Sequence, residues 1–148
     1  MEVQIDNRQS IHKIARKKLR KTAKAILNAL DCPDSELSIL IVDDQQIEKL
    51  NRQFLNRKGP TNVIAFSMQE GQFSEIAPNL LGDVVISVET AQREARKAGL
   101  SMEARFNQLL IHGILHLLGY DHVKTESEAR RMGKKTNELL KIIEKEVQ

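Results

Sequence analysis

One cysteine, no tryptophan, one tyrosine and four phenylalanines in 148 residues are unusually few, and each scarcity closes off a class of protein. The lone Cys32 can form no intrachain disulfide and no cysteine-rich zinc cluster, which fits a reducing compartment. With so few rings, a single-stranded nucleic acid would have little to stack on and would have to be held mainly through its backbone. No apolar run approaches the ~20 residues needed to cross a bilayer. The opening "MEVQIDNRQS" has neither the basic segment nor the apolar core of a signal peptide. A cytoplasmic protein with no membrane partner is therefore expected.

Apolar residues make up 41% of the chain and charged residues 29%, close to globular averages, and the formal charge is a mild +3. A chain of this length suits one domain, which buries roughly 68–70% of the surface its unfolded form exposes.

The hydrophobic pattern changes period along the chain. "VQI" reads as a short strand. Ser10 is placed to cap a helix running to about Leu30, with Ile11, Ile14, Ala15, Leu19, Ala23, Ile26, Leu27 and Leu30 inward. Lys13, Lys17, Arg20 and Lys24 repeat on another face of it. "LSILIV" is a buried strand, and "DDQQIEKLNRQFL" is a helix with Ile47, Leu50 and Phe54 inward. "RKGPT" is a turn, "NVIAFS" a strand, 69 to 80 a long loop and "GDVVISV" a further strand. "ETAQREARKA" is helical, with Gly99 suited to a left-handed C-cap and Ser101 to the next N-cap. That next helix spans 101 to 118 and stops at Gly119. Thr125 and Glu128 form a capping box before a last amphipathic helix through Ala129, Met132, Leu139, Leu140 and Ile143. The expectation is a single α+β domain over residues 1–148, with a mixed sheet and about five helices.

Three of the four histidines fall in "IHGILHLLGYDH", residues 111 to 122. On a helix, His112 and His116 lie one turn apart on one face, about 6 Å along the axis, and can reach one ion. Gly119 lets the chain leave the helix, so that "GYD" can bring His122 back to the same point. Three neutral imidazoles with a fourth position open to water is the arrangement of a catalytic rather than a structural zinc. Ser101, Arg105, Gln108, His112 and His116 share one stripe of an otherwise apolar helix, as in the wall of a cleft. A divalent ion there lowers the pKa of bound water to about 7, which implies hydrolysis. Zinc peptidases share the spacing, but they carry a Glu after the first histidine as general base, where this chain has Gly113. Asp121 is the nearest carboxylate in sequence and is a candidate base, although Asp in a turn is often only a local acceptor.

"HGILHLLGYDH" resembles the signature of the YbeY family of bacterial endoribonucleases. "GPTNVIAFS" is similar to that family's Lys-Pro-Thr-Asn-Val-Leu-Ser-Phe-Pro segment, and "LGDVVIS" followed by "ETAQREA" to its Gly-Asp-Ile-Val-Ile-Ser strand and next helix. The resemblance runs from about residue 50 to 125. It implies a zincin-like α+β fold with one zinc ion on His112, His116 and His122, on a central helix and the turn after it. It also implies cleavage of single-stranded RNA in maturing the 3′ end of small-subunit ribosomal RNA, and a part in ribosome quality control. The partners implied are ribosomal RNA and the small ribosomal subunit. One departure stands out: the family usually has an Arg in a segment like Tyr-Arg-Gly-Lys-Asp-Lys-Pro-Thr, and counting back from Pro60 that position is Leu55. An Arg beside the metal clamps phosphate bidentately, which Leu does not do. Arg57 is the nominated substitute, against the plainer reading of a solvated turn residue.

Lys17, Arg20 and Lys24 are candidates to track an RNA backbone, against the alternative of a solvated helix face. Arg105 and Gln108, on the histidine stripe, are candidates for contact with substrate. Asn62 is placed to shape the turn near the site, and His12 reads as a surface histidine. Two other functions stand beside the nuclease: a zinc metallopeptidase, and a non-catalytic ribosome-associated factor whose zinc is a structural staple.

Overall fold

The structure is a computed structural model, and it describes residues 2–68, 79–120 and 125–147. In chain order the described elements are β1 (Glu2–Asn7), α1 (Arg16–Ala29), β2 (Glu36–Val42), α2 (Asp44–Leu55), β3 (Val63–Ser67), β4 (Leu80–Ser87), α3 (Val88–Ala98), α4 (Met102–Leu117) and α5 (Glu126–Val147). The fold is α+β, with a mixed sheet in the order β1-β2-β4-β3. The first three of these strands are parallel and β3 is antiparallel to β4.

Alternation along the strands sets the two sides of the sheet. Leu37, Ile39 and Ile41 of β2 and Val84 and Ile86 of β4 join the larger core with α1, α4 and α5. Val42, Ile64 and Val85 face the other way and pack with Ile47 of α2. At one edge, Val3 O of β1 accepts from Arg20 Nε at 3.3 Å and Ile5 O from an Arg16 guanidinium nitrogen at 3.1 Å. Two arginines of α1 thus satisfy carbonyls on a strand that pairs on one side only among the described residues, blunting its capacity to recruit another chain.

Two expectations are corrected. The first helix starts at Arg16, not at Ser10, because the Gln9 side chain organises the preceding turn. Its Oε1 accepts from the backbone of Ile11 and His12, both at 2.9 Å, and its amide donates to His12 O at 2.8 Å. Ile11 is consequently 54% exposed rather than inward, and Lys13 is not on the helix. Phe54 is 59% exposed; it lies edge-on to Phe66, ring centroids 5.6 Å apart, instead of entering the core.

The caps expected at Ser101, Thr125 and Gly99 are present. Ser101 Oγ accepts from Ala104 N at 3.0 Å, Thr125 Oγ1 accepts from Glu128 N at 3.1 Å, and Gly99 closes α3 in the left-handed region at φ 69°. Residues 69–78, most of the expected loop, lie outside the described residues.

Candidate functional site

Helix α4 is fully packed on one side and polar along a single stripe. Phe106, Leu109, Leu110, Ile111, Ile114, Leu115 and Leu117 are buried, while His112 is exposed and His116 half-buried. Their ring centroids lie 4.6 Å apart with the planes tilted by 50°. The helix ends at Leu117 with Leu118 as its C-cap, and Gly119 follows in the left-handed region at φ 95°. His122 and Asp121 lie outside the described residues.

The chemistry of the donor pair fits a borderline-soft divalent ion, which takes imidazole in its neutral form. Partial burial disfavours the charged form of His112. The neighbouring His116 and the Arg105 guanidinium add to this, and its pKa lies below the ordinary histidine value. Among the described residues no group of three histidine, cysteine or carboxylate side chains comes together.

Gly113 explains why the helix can sit where it does. A Cβ there would come within 2.6 Å of Val84 Cγ1 and 3.3 Å of Val63 Cγ2, so this face of α4 lies directly on β4 and β3. The general-base Glu that peptidases carry at this step of the motif has no room in this packing.

Beside His112 is a cavity of about 260 Å³ lined by Asn62, Arg105, Gln108, Leu109, His112 and Thr136. Arg105 Nε and Nη2 donate to Glu94 Oε1 at 3.1 and 3.0 Å, and Nη1 donates to Gln108 Oε1 at 2.7 Å. The Asn62 amide donates to both Glu94 oxygens at 3.2 Å. Asn62 is itself fixed at the start of β3, where its Oδ1 accepts from Val63 N at 2.7 Å and its carbonyl from Ser87 N at 3.0 Å.

The structure thus brings together Arg105, Gln108, His112 and Asn62, which the sequence singled out. Glu94 of α3 is the member sequence reasoning missed. The only cue in the sequence is that it falls within "ETAQREA", one of the quoted segments. Arg57 is exposed just beyond the left-handed C-cap Asn56 of α2, and it is not among the residues lining this cavity. Leu55 is 40% exposed. On α1, Lys17 is exposed and Lys24 half-buried, whereas Arg20 is occupied with the β1 carbonyl. Half-buried His12 lines a different cavity, between the chain before α1 and the start of α4. No described helix is long and apolar enough to cross a membrane.

Residues 4–144 match the family model described as endoribonuclease YbeY. A protein of Syntrophotalea carbinolica named endoribonuclease YbeY is 53% identical over 145 residues, covering 97% of each chain. Its namesake in Geobacter metallireducens is 51% identical over 147 residues, covering 99% of this chain and 98% of the relative. Among solved structures, a Thermotoga maritima protein determined in solution superposes with a TM-score of 0.66. It is 21% identical, over 95% of this chain and 88% of that one, a likeness of fold.

Proposed function

This chain belongs to the endoribonuclease YbeY family, and from that premise we propose that it is a zinc-dependent endoribonuclease that cuts single-stranded RNA in maturing the 3′ end of small-subunit ribosomal RNA in the cytoplasm. The observation that carries the metal part is the His112–His116 pair, one turn apart on a helix whose other side is packed in the core, with His112 lining a polar cavity. His112, His116 and His122 would hold one zinc ion. Bound there, zinc supplies Lewis acidity, acidifying an oxygen nucleophile and offsetting charge on phosphate.

The chain's own residues supply the rest. The lowered pKa of His112 favours the neutral form that ligation needs. Arg105 and Gln108 present donors along the same stripe, and the basic residues of α1, Lys17 and Lys24 among them, add a diffuse attraction for the RNA backbone. Asp121 is the proposed general base and Arg57 a proposed phosphate contact. The ribosomal step, with ribosomal RNA and the small subunit as partners and a part in quality control, rests on the family resemblance. The peptidase alternative is disfavoured by Gly113, where a side chain has no space.

The test is cleavage of an end-labelled single-stranded RNA by the purified protein and by His116→Ala prepared identically. Loss of cleavage with unchanged circular dichroism is expected. Equal cleavage by both, or none by either, would remove the nuclease reading. Product ends bearing 2′,3′-cyclic phosphate would identify the RNA's own 2′-hydroxyl as nucleophile.

A further inference from the structure

A strut between α3 and α4 needs only the Arg105–Glu94 ion pair. The network here is larger. Asn62 donates to both carboxylate oxygens of Glu94, and Gln108 takes a third N–H of Arg105, so the plane of the guanidinium is fixed from two sides. Arginine has five N–H groups; three are engaged, which leaves two without a partner among the described residues on a side chain that lines the cavity with His112. The group is sheltered but reachable, the Arg105 side chain being 25% exposed. A guanidinium already held in its binding plane loses little freedom on taking a ligand, and its fork matches two phosphate oxygens. From Arg105 to His116 the stripe spans eleven residues, about 16 Å of helix. That is longer than a single phosphodiester group needs.

We infer that Glu94 is a positioning residue for RNA: anchored by Asn62, it holds Arg105 against Gln108 so that the two guanidinium N–H groups unpartnered among the described residues take a backbone phosphate flanking the one at the histidines. This rests on the ribonuclease reading for its substrate, but it concerns binding and not bond cleavage.

The experiment measures equilibrium binding of a 2′-O-methyl single-stranded RNA, confirmed intact afterwards, to the wild-type protein and variants over a range of salt concentrations. Arg105→Gln is expected to bind roughly tenfold more weakly at low salt. Its plot of log affinity against log salt should be shallower by about 0.7, the slope of one lost phosphate contact on a single strand. Glu94→Gln keeps an oxygen to receive the Arg105 Nε–H and should bind within about twofold of wild type. Glu94→Ala has no such acceptor and should bind about fivefold more weakly. Both Glu94 variants lose the same charge, so the difference between them isolates positioning.

An unchanged salt slope in Arg105→Gln, or identical binding by the two Glu94 variants, would overturn the inference. If Arg105→Gln melts far below wild type, Arg105→Lys serves instead. It keeps the charge without the fork, and it should keep the slope while binding several-fold more weakly; full affinity there would equally overturn the fork. A wild-type protein that binds no RNA would sink this inference and the ribonuclease reading together. The expected binding pattern, with cleavage indifferent to His116, would sink the ribonuclease reading alone.

Discussion

His112 and His116 lie one helical turn apart with ring centroids 4.6 Å apart, and the residue between them that faces the sheet, Gly113, meets Val84 so closely that a side chain would be overpacked. The two facts belong together. Seating α4 directly on β4 and β3 fixes its rotation, and that rotation puts both imidazoles on the side away from the core.

The pair should therefore be required for metal and dispensable for folding. His116→Ala is expected to lose bound zinc, measured by elemental analysis after dialysis, with affinity down by more than about a hundredfold. Ligand loss should exceed the 10–100-fold typical of groups that only orient ligands. Stoichiometric zinc retained by the variant would show that the pair is not the site.

Gly113 gives a prediction of opposite sign to helix propensity. Alanine favours a helix interior over glycine by about 1 kcal/mol, and Gly133→Ala in α5, where a Cβ would meet nothing within 4 Å, should gain up to that amount. Gly113→Ala gains the same propensity but forces a Cβ against Val84, and overpacking of that kind costs about 1–3 kcal/mol. Urea unfolding should show Gly133→Ala at or above wild type and Gly113→Ala below it. If the two variants shift alike, the close packing of α4 on the sheet is wrong.

What the sequence made legible was local. The histidine stripe, the caps at Ser101 and Thr125 and the left-handed Gly99 each depend on residues within one or two turns, and each appears as expected. Glu94 escaped notice because its meaning depends on Arg105, eleven residues on in another helix, and Asn62, thirty-two residues back in a turn. The start of α1 was misplaced for a related reason. Ser10 has the ordinary look of a cap, but the Gln9 side chain binds the backbone of Ile11 and His12 and holds that stretch out of the helix. Phe54 fits the helical period of α2, yet that helix covers only part of its sheet face, so the last turn runs out into solvent.

Metal removal separates a catalytic from a structural ion. Helix α4 is capped by Ser101 and buried through seven apolar residues, none of which depends on a ligand. Chelation should abolish RNA cleavage while leaving far-UV circular dichroism unchanged within error and the melting temperature within about 5 °C, equivalent to about 1–2 kcal/mol in a chain of this size. Loss of helicity on chelation would instead favour the ribosome-associated factor with a zinc staple.

Acid stability should depend on Asp44, which ties the start of α2 to the start of α3, the helix that carries Glu94. Its Oδ1 accepts from Ser87 Oγ at 2.7 Å and Thr90 Oγ1 at 2.6 Å, and its Oδ2 pairs with Arg93 at 2.8 Å. Burial pushes its pKa up, but the hydrogen bonds from Ser87, Thr90 and Arg93 and the Arg93 charge together outweigh this and hold it below the ordinary carboxylate value. A carboxylate whose folded pKa lies below its unfolded pKa stabilises the fold at pH values above the unfolded one, about 3.9 for Asp. That contribution is lost as pH falls through the folded value. Asp44→Asn should thus be less stable than wild type by about 1–3 kcal/mol at pH 7, since Ser87 is fully buried and loses an ionised acceptor. The gap should hold to about pH 5 and shrink below pH 4. Urea unfolding of both proteins at pH 7, 5 and 3 measures it. A gap that stays constant down to pH 3 would mean that the ionised form of Asp44 is not what joins the two helices.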